Sequence, residues 1–206
     1  ELNGSDPDRV TASGMDGRDG DGLKMLKDVG AALAAGPGTM ATYGPILPGT
    51  TYGTQLQAAT SLEPHLWVNE NGSRFVREDM FLKNFAYAGN AVHNQKRAFT
   101  VCNKDIMDRY MNDGGDVGVG VYVVAGDPMT DLAEELPKLL ESNSEYVFQA
   151  DTVEELAEQM GIDPESLAAT LESYNAQCEQ GVDTEFFKPA EYMRPIQTPP
   201  FYAFEV

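Results

Sequence analysis

Residues 151–181 read DTVEELAEQMGIDPESLAATLESYNAQCEQG, and this punctuation constrains the fold more than any other feature of the chain. Asp151 or Thr152 can cap a helix whose first turn carries Glu154 or Glu155, and Gly161 stops it. Asp163-Pro164 then supplies an N-cap and a first helical residue, an apolar stripe follows, and Gly181 ends the second helix. Just upstream, EYVFQA reads as a short strand, and PMTDLAEELPKLLES as a helix with Pro137 at a kink or restart.

The rest of the chain continues the mixture. LWV and RFV flank Asn71-Gly72, a pair that tolerates positive φ and signals a hairpin. Residues 79–95 read as a helix, RAFTVCN as a strand and KDIMDRYMNDGG as a short helix. Near the start, Asp21 can cap a helix that carries Leu23, Leu26, Val29 and Leu33 at helical spacing before Gly36-Pro37-Gly38. Residues 36–62 show no periodicity and read as a long irregular connection, and the glycine-rich stretch 114–128 fits no element. Helices interspersed among short strands give an α+β fold class.

The 42% hydrophobic content is enough for a real core, so wholesale disorder is excluded. A formal net charge of −19 repels phosphate backbones and anionic lipid, which argues against nucleic acid and membrane surfaces as partners. Cys102 and Cys178 are far apart and read as small hydrophobes, and His65 and His93 stand in no metal-ligand spacing, so no metal is expected. PPFYAFEV reads as a strand with neither partner nor continuation, and the first residues carry no signal-like segment. Both ends read as cut, and the compartment stays open.

Several stretches bear chemistry-capable residues, each with a bland reading beside it. GMDGRDGDG has the glycines of an anion cradle but lacks the Lys-Ser/Thr of a P-loop, a preceding strand and the last ligand of a calcium loop, so a turn with a helix cap accounts for it. SRFVRED gathers Arg74, Arg77, Glu78 and Asp79. An arginine there can clamp a substrate carboxylate, or the group is an exposed ion-pair cluster, since nothing in the sequence predicts burial. Tyr43 and Tyr87 lie in or near flexible backbone, where a tyrosine is either catalytic or a satisfied core residue.

Four segments in order carry more than any one of them: GDGLKMLKDVGAAL, LWVNENGSRFVRED, DTVEELAEQMGIDPESLAATLESYNAQCEQGVDTEFFKP and PIQTPPFYAFEV. Together they resemble the middle of the FAD-dependent fumarate reductase family, the flavoproteins related to flavocytochrome c and urocanate reductase. The resemblance implies a capping domain that encloses the substrate, with truncated flanks of an FAD-binding domain. Its expected division is 1–35 as a flank, 36–198 as the capping domain and 199–206 as the start of a return strand. It implies an enzyme of anaerobic respiration that reduces or forms an activated C=C bond by hydride transfer, with FAD bound by the parent protein and not by this chain alone. The partners implied are a small-molecule substrate, the remainder of the flavoprotein and an unspecified electron donor.

Residues carry over in part. The Asp of the family's GDG turn contacts the flavin nucleotide, which points to Gly20, Asp21 and Gly22. Fumarate-reducing members place an arginine acid where this chain has Leu82 followed by Lys83, and their His-Pro-Thr falls near Thr42-Tyr43-Gly44. Neither matches, so fumarate itself is disfavoured. Tyr43, Tyr87 or Lys83 becomes the candidate catalytic group, and Thr42, Tyr43, Arg74 and Glu78 the candidate substrate contacts. The hinges of closure fall near 36–45 and 195–200. The competing reading is a stand-alone acidic binding domain without catalysis, which a chain ending on an unpaired apolar strand would not suit.

Overall fold

The computed structural model describes residues 17, 19–32, 46–142 and 145–206. The chain divides into two compact units, Glu1–Met40 and Ala41–Val206. In the first, helix α1 spans Asp21–Asp28. It is shorter than the apolar spacing predicts, because Gly30 takes a left-handed φ of 88° and the chain turns there. Leu23, Leu26 and Val29 are exposed.

The second unit is built on a four-stranded antiparallel sheet in the order β1-β2-β4-β3. Its strands are β1 (Leu66–Asn69), β2 (Ala98–Asn103), β3 (Val147–Ala150) and β4 (Phe201–Glu205). The terminal segment PPFYAFEV therefore does have partners. Val101 of β2 and Phe148 of β3 both register with Ala203, so β4 lies inside the sheet. The expectation of an unpaired strand fails because its two partners lie about 50 and 100 residues away, beyond the reach of local pattern. With it goes the argument from an exposed edge against a stand-alone domain. Every residue of β2 is buried, so both faces of the sheet are covered at its centre.

The helices follow the punctuation closely. α7 (Val153–Met160) begins at Thr152, whose hydroxyl accepts from the Glu155 N–H, and ends at left-handed Gly161. α8 (Pro164–Gln180) starts at Asp163 and stops at Gly181 in the same way. α5 (Lys104–Asp113) is capped by Asn103, and α6 (Leu132–Ser142) holds Pro137 inside it. α7 lies against α8, β3 and β4, while α5 lies against β2.

Two expectations need correction. Within 36–62, a one-turn α2 (Gln55–Gln57) runs into a π-helical turn, Ala58–Leu62. All five residues of that turn are buried, so no polar face marks a helical period in the sequence. The helix expected over 79–95 is two, α3 (Met80–Lys83) and α4 (Phe85–His93), parted by Asn84 in an extended conformation. The hairpin turn at Asn71-Gly72 forms, with Gly72 at φ 72°, but its second arm pairs only through Val68 and Arg74. Stretch 114–128 is neither helix nor strand and makes one isolated bridge, Val119 with Val123. No described helix is long and apolar enough to cross a membrane. Both cysteines are free, Cys102 buried and Cys178 half-buried.

Candidate functional site

The turn after β1 is shaped by Asn69, whose Oδ1 accepts from the N–H groups of Asn71 and Ser73 at 3.0 and 3.2 Å. It directs Arg74 into the interior, where the side chain is 2% exposed. The guanidinium donates through Nε and Nη2 to Glu78 at 3.0 Å each, and through Nη1 and Nη2 to Asp183 at 3.1 and 2.8 Å. Its plane lies over the rings of Tyr174 and Phe186. Lys188 completes the cluster, donating to the Tyr174 hydroxyl at 3.0 Å and lying 3.5 Å from Glu78 Oε2.

Two cations and two carboxylates thus balance where water is excluded, the arrangement in which a buried ion pair survives its desolvation cost. Burial works against the charge of Arg74, but its bonds to Asp183 and Glu78 win and raise its pKa. Burial likewise lowers the Lys188 ammonium, with Glu78 opposing. The cluster is ionic as the sequence allows, but it is interior where an exposed one was the expectation. A substrate carboxylate would have to displace Glu78 or Asp183 to reach Arg74.

The segment that follows turns outward. Asp79, also buried, accepts from Arg77 Nε and Nη2 at 2.6 and 2.8 Å and pairs with Lys83 at 3.5 Å. Asn84 breaks α3 and caps α4, its Oδ1 accepting from the N–H groups of Ala86 and Tyr87. Phe81 anchors the junction from inside, its ring 4.4 Å from that of Phe85. Lys83, Phe85 and Tyr87 are presented to solvent, with Tyr87 62% exposed. The structure therefore joins Arg74 to Glu78, and places Lys83 and Tyr87 on the outward segment they lead into. Thr42 and Tyr43 lie outside the described residues, as do positions 36–45 of the first hinge.

A second polar group lies deeper. Glu63 accepts from the N–H groups of Asp116 and Val117 at 2.8 and 3.1 Å, and burial pushes its carboxyl up to about 8. Gly115 must be a glycine here, since a Cβ would overlap the Glu63 carboxylate and the Met129 methyl. His65 sits 3.1 Å from the Tyr110 hydroxyl through Nδ1 and is pushed down to about 3 by burial, Lys188 and Arg194. Asp116 is shared by Arg109 and Arg194. These groups knit the interior, and of them only His65 was weighed in the sequence, where it was set aside as a metal ligand. Asp183, Tyr174 and Lys188 were not singled out either, although Asp183 stands in the SYN…GVDTEFF run that carries part of the resemblance.

In the first unit, Gly20 is left-handed (φ 75°, ψ 23°) and, among the described residues, no side chain caps the start of α1. Asp21 opens the helix, exposed, paired with Lys24 at 3.0 Å. Uncapped N–H groups and a solvent-facing carboxylate are a donor and acceptor set that fits the ribose or phosphate of a flavin nucleotide. A Cβ built at Gly20 or Gly22 would meet no described residue within 4 Å.

Known proteins place this geometry in a wider frame. The chain is 35% identical over 193 residues to a vinyl phenol reductase of Lactiplantibacillus plantarum, covering 91% of this chain and 39% of that protein. It is 29% identical over 198 residues to a digoxin reductase of Eggerthella lenta, covering 91% and 32%. The chain thus spans between about a third and two fifths of the length of these relatives. Its fold matches that of a flavocytochrome c3 fumarate reductase in an open conformation with a TM-score of 0.56, at 22% identity, over 91% of this chain and 28% of the other. Residues 5–206 match the FAD binding domain family. The chain belongs to that family, and FAD is the family's cofactor.

Proposed function

We propose that this chain encloses the substrate of a flavin-dependent oxidoreductase that reduces, or in reverse forms, an activated C=C bond. In this reading residues 36–198, with β4 as the inner strand of their sheet, are the enclosing domain, and 1–35 a flank of the flavin-binding part. When bound and reduced, FAD supplies the hydride for one alkene carbon. This chain's part is to orient the alkene, exclude water and deliver a proton to the neighbouring carbon. Gly20, Asp21 and Gly22 would contact the nucleotide.

The observation that carries the reading is the outward segment 83–87, which follows a buried ionic cluster in the chain. It presents Lys83 and Tyr87, both with dissociable protons, beside the exposed ring of Phe85. Leu82 stands where fumarate-reducing members place an arginine, and the donors of Arg74 are committed to Glu78 and Asp183. That favours a neutral or aromatic alkene over a dicarboxylate. A relative that acts on vinyl phenol supports the same substrate class. Nothing in the fold favours a stand-alone binding module, and the family match weighs against it.

The test uses the full-length flavoprotein, reduced without oxygen and mixed with 4-vinylphenol. Of Lys83→Met, Tyr87→Phe and Tyr43→Phe, the one that removes the proton donor should slow reoxidation of the flavin by about 100-fold or more. Rates unchanged in all three would refute the assignment.

A further inference from the structure

We propose that Asp183 is a positioning residue for the reaction: through Arg74 and Glu78 it fixes where Lys83 and Tyr87 stand, and so sets turnover more than substrate affinity. The inference rests on the reading of segment 83–87 given above and deepens it by naming what holds that segment in place.

The loop after α8 is shaped around this one carboxylate. Asp183 Oδ1 accepts from the N–H groups of Glu185 and Phe186 at 3.0 and 3.1 Å, and Oδ2 from that of Lys188 at 3.0 Å. With the two bonds from Arg74 it receives five donors, while its side chain is fully buried. The loop holds Phe187 at φ 59°, the one non-glycine residue with positive φ among the described residues. A bulky side chain in that region is strained and persists only where its surroundings impose it. The neighbouring Phe186 ring is thereby laid 4.9 Å from the guanidinium carbon of Arg74.

The link to the outward segment is short. Arg74 grips Asp183 with one side of its fork and Glu78 with the other. Glu78 Oε1 also accepts from the Trp67 N–H of β1 at 3.4 Å, and Glu78 lies two residues before α3. Without the Asp183 charge, Arg74 and Lys188 would face Glu78 as their one buried carboxylate among the described residues, with only the solvent-exposed Glu185 beside Arg74, leaving excess positive charge in the interior. The relief available is for Glu78 to turn or for water to enter, and either shifts the stem of α3 and α4. A displacement of about 1 Å at a reacting group can cost about 100-fold in rate.

The test compares Asp183→Asn, Asp183→Glu and the control Glu185→Gln in the full-length holoenzyme. Glu185 also approaches Arg74, at 3.6 Å, but from a solvent-exposed position. Asp183→Asn should lower kcat about tenfold or more, change KM by less than about twofold, and speed amide exchange over 80–93. Asp183→Glu should recover part of kcat, and Glu185→Gln should change neither readout. If Asp183→Asn does not fold, Arg74→Lys, which keeps the charge and loses the fork, should give the same pattern. Unchanged exchange over 80–93 in the folded variant, or a rise in KM alone, overturns the inference. Faster exchange with unchanged kcat would instead refute the placement of Lys83 and Tyr87 at the reacting atoms, while supporting the hold of Asp183 on the segment.

Discussion

Glu63 shows how one side chain can govern stability without touching the chemistry. Its carboxyl is fully buried, and only two backbone N–H groups, with Arg109 more distantly, favour its charged form. Desolvation and the neighbouring Asp116 outweigh them, moving the group from 4.5 to about 8. The folded state therefore holds a proton between those values that the unfolded chain has released. The stability that Glu63 contributes thus falls as pH rises from about 4.5 to about 8. His65 slopes the other way, being buried neutral, and loses stability as pH drops from 6.5 towards about 3. Comparing the protein with Glu63→Gln cancels the histidine. Urea unfolding across that range should show wild type losing on the order of a few kcal/mol relative to the variant. Parallel curves would contradict the burial of an ionisable Glu63.

At the scale of elements, what was legible in the sequence was what is local. Thr152, Gly161, Asp163 and Gly181 each satisfy N–H or C=O groups within a few residues, so α7 and α8 stand where their caps put them. Asn84 is a cap of the same kind hidden inside an apparently continuous helix; its extended backbone, not composition, separates α3 from α4. Long-range pairing was illegible. Arg74 meets Asp183 across 109 residues, and β4 finds its partners far upstream, so neither the buried cluster nor the centre of the sheet shows in any window of the sequence. Phe204 tests the sheet directly. It is fully buried and registers with Thr100 on one side and Val147 on the other. Phe204→Ala should cost about 3–5 kcal/mol of unfolding free energy, whereas a strand lying loose at the end of the chain would lose under about 1 kcal/mol.

At the scale of the molecule, the net charge of −19 and the saturated Arg74 point the same way. An acidic surface does not gather dicarboxylates, and the buried Arg74 guanidinium is occupied by the chain's own carboxylates. The outward segment offers instead an aromatic ring, a tyrosine and one lysine. On the proposed function, this chain closes over a neutral or aromatic activated alkene beside a flavin. The most direct measurement takes the full-length protein with its FAD reduced under anaerobic conditions and follows recovery of the oxidised flavin band after adding 4-vinylphenol, acrylate or fumarate. Fast recovery is expected with the aromatic alkene and little with fumarate. Recovery with none of the three, or fastest with fumarate, would overturn the proposed function.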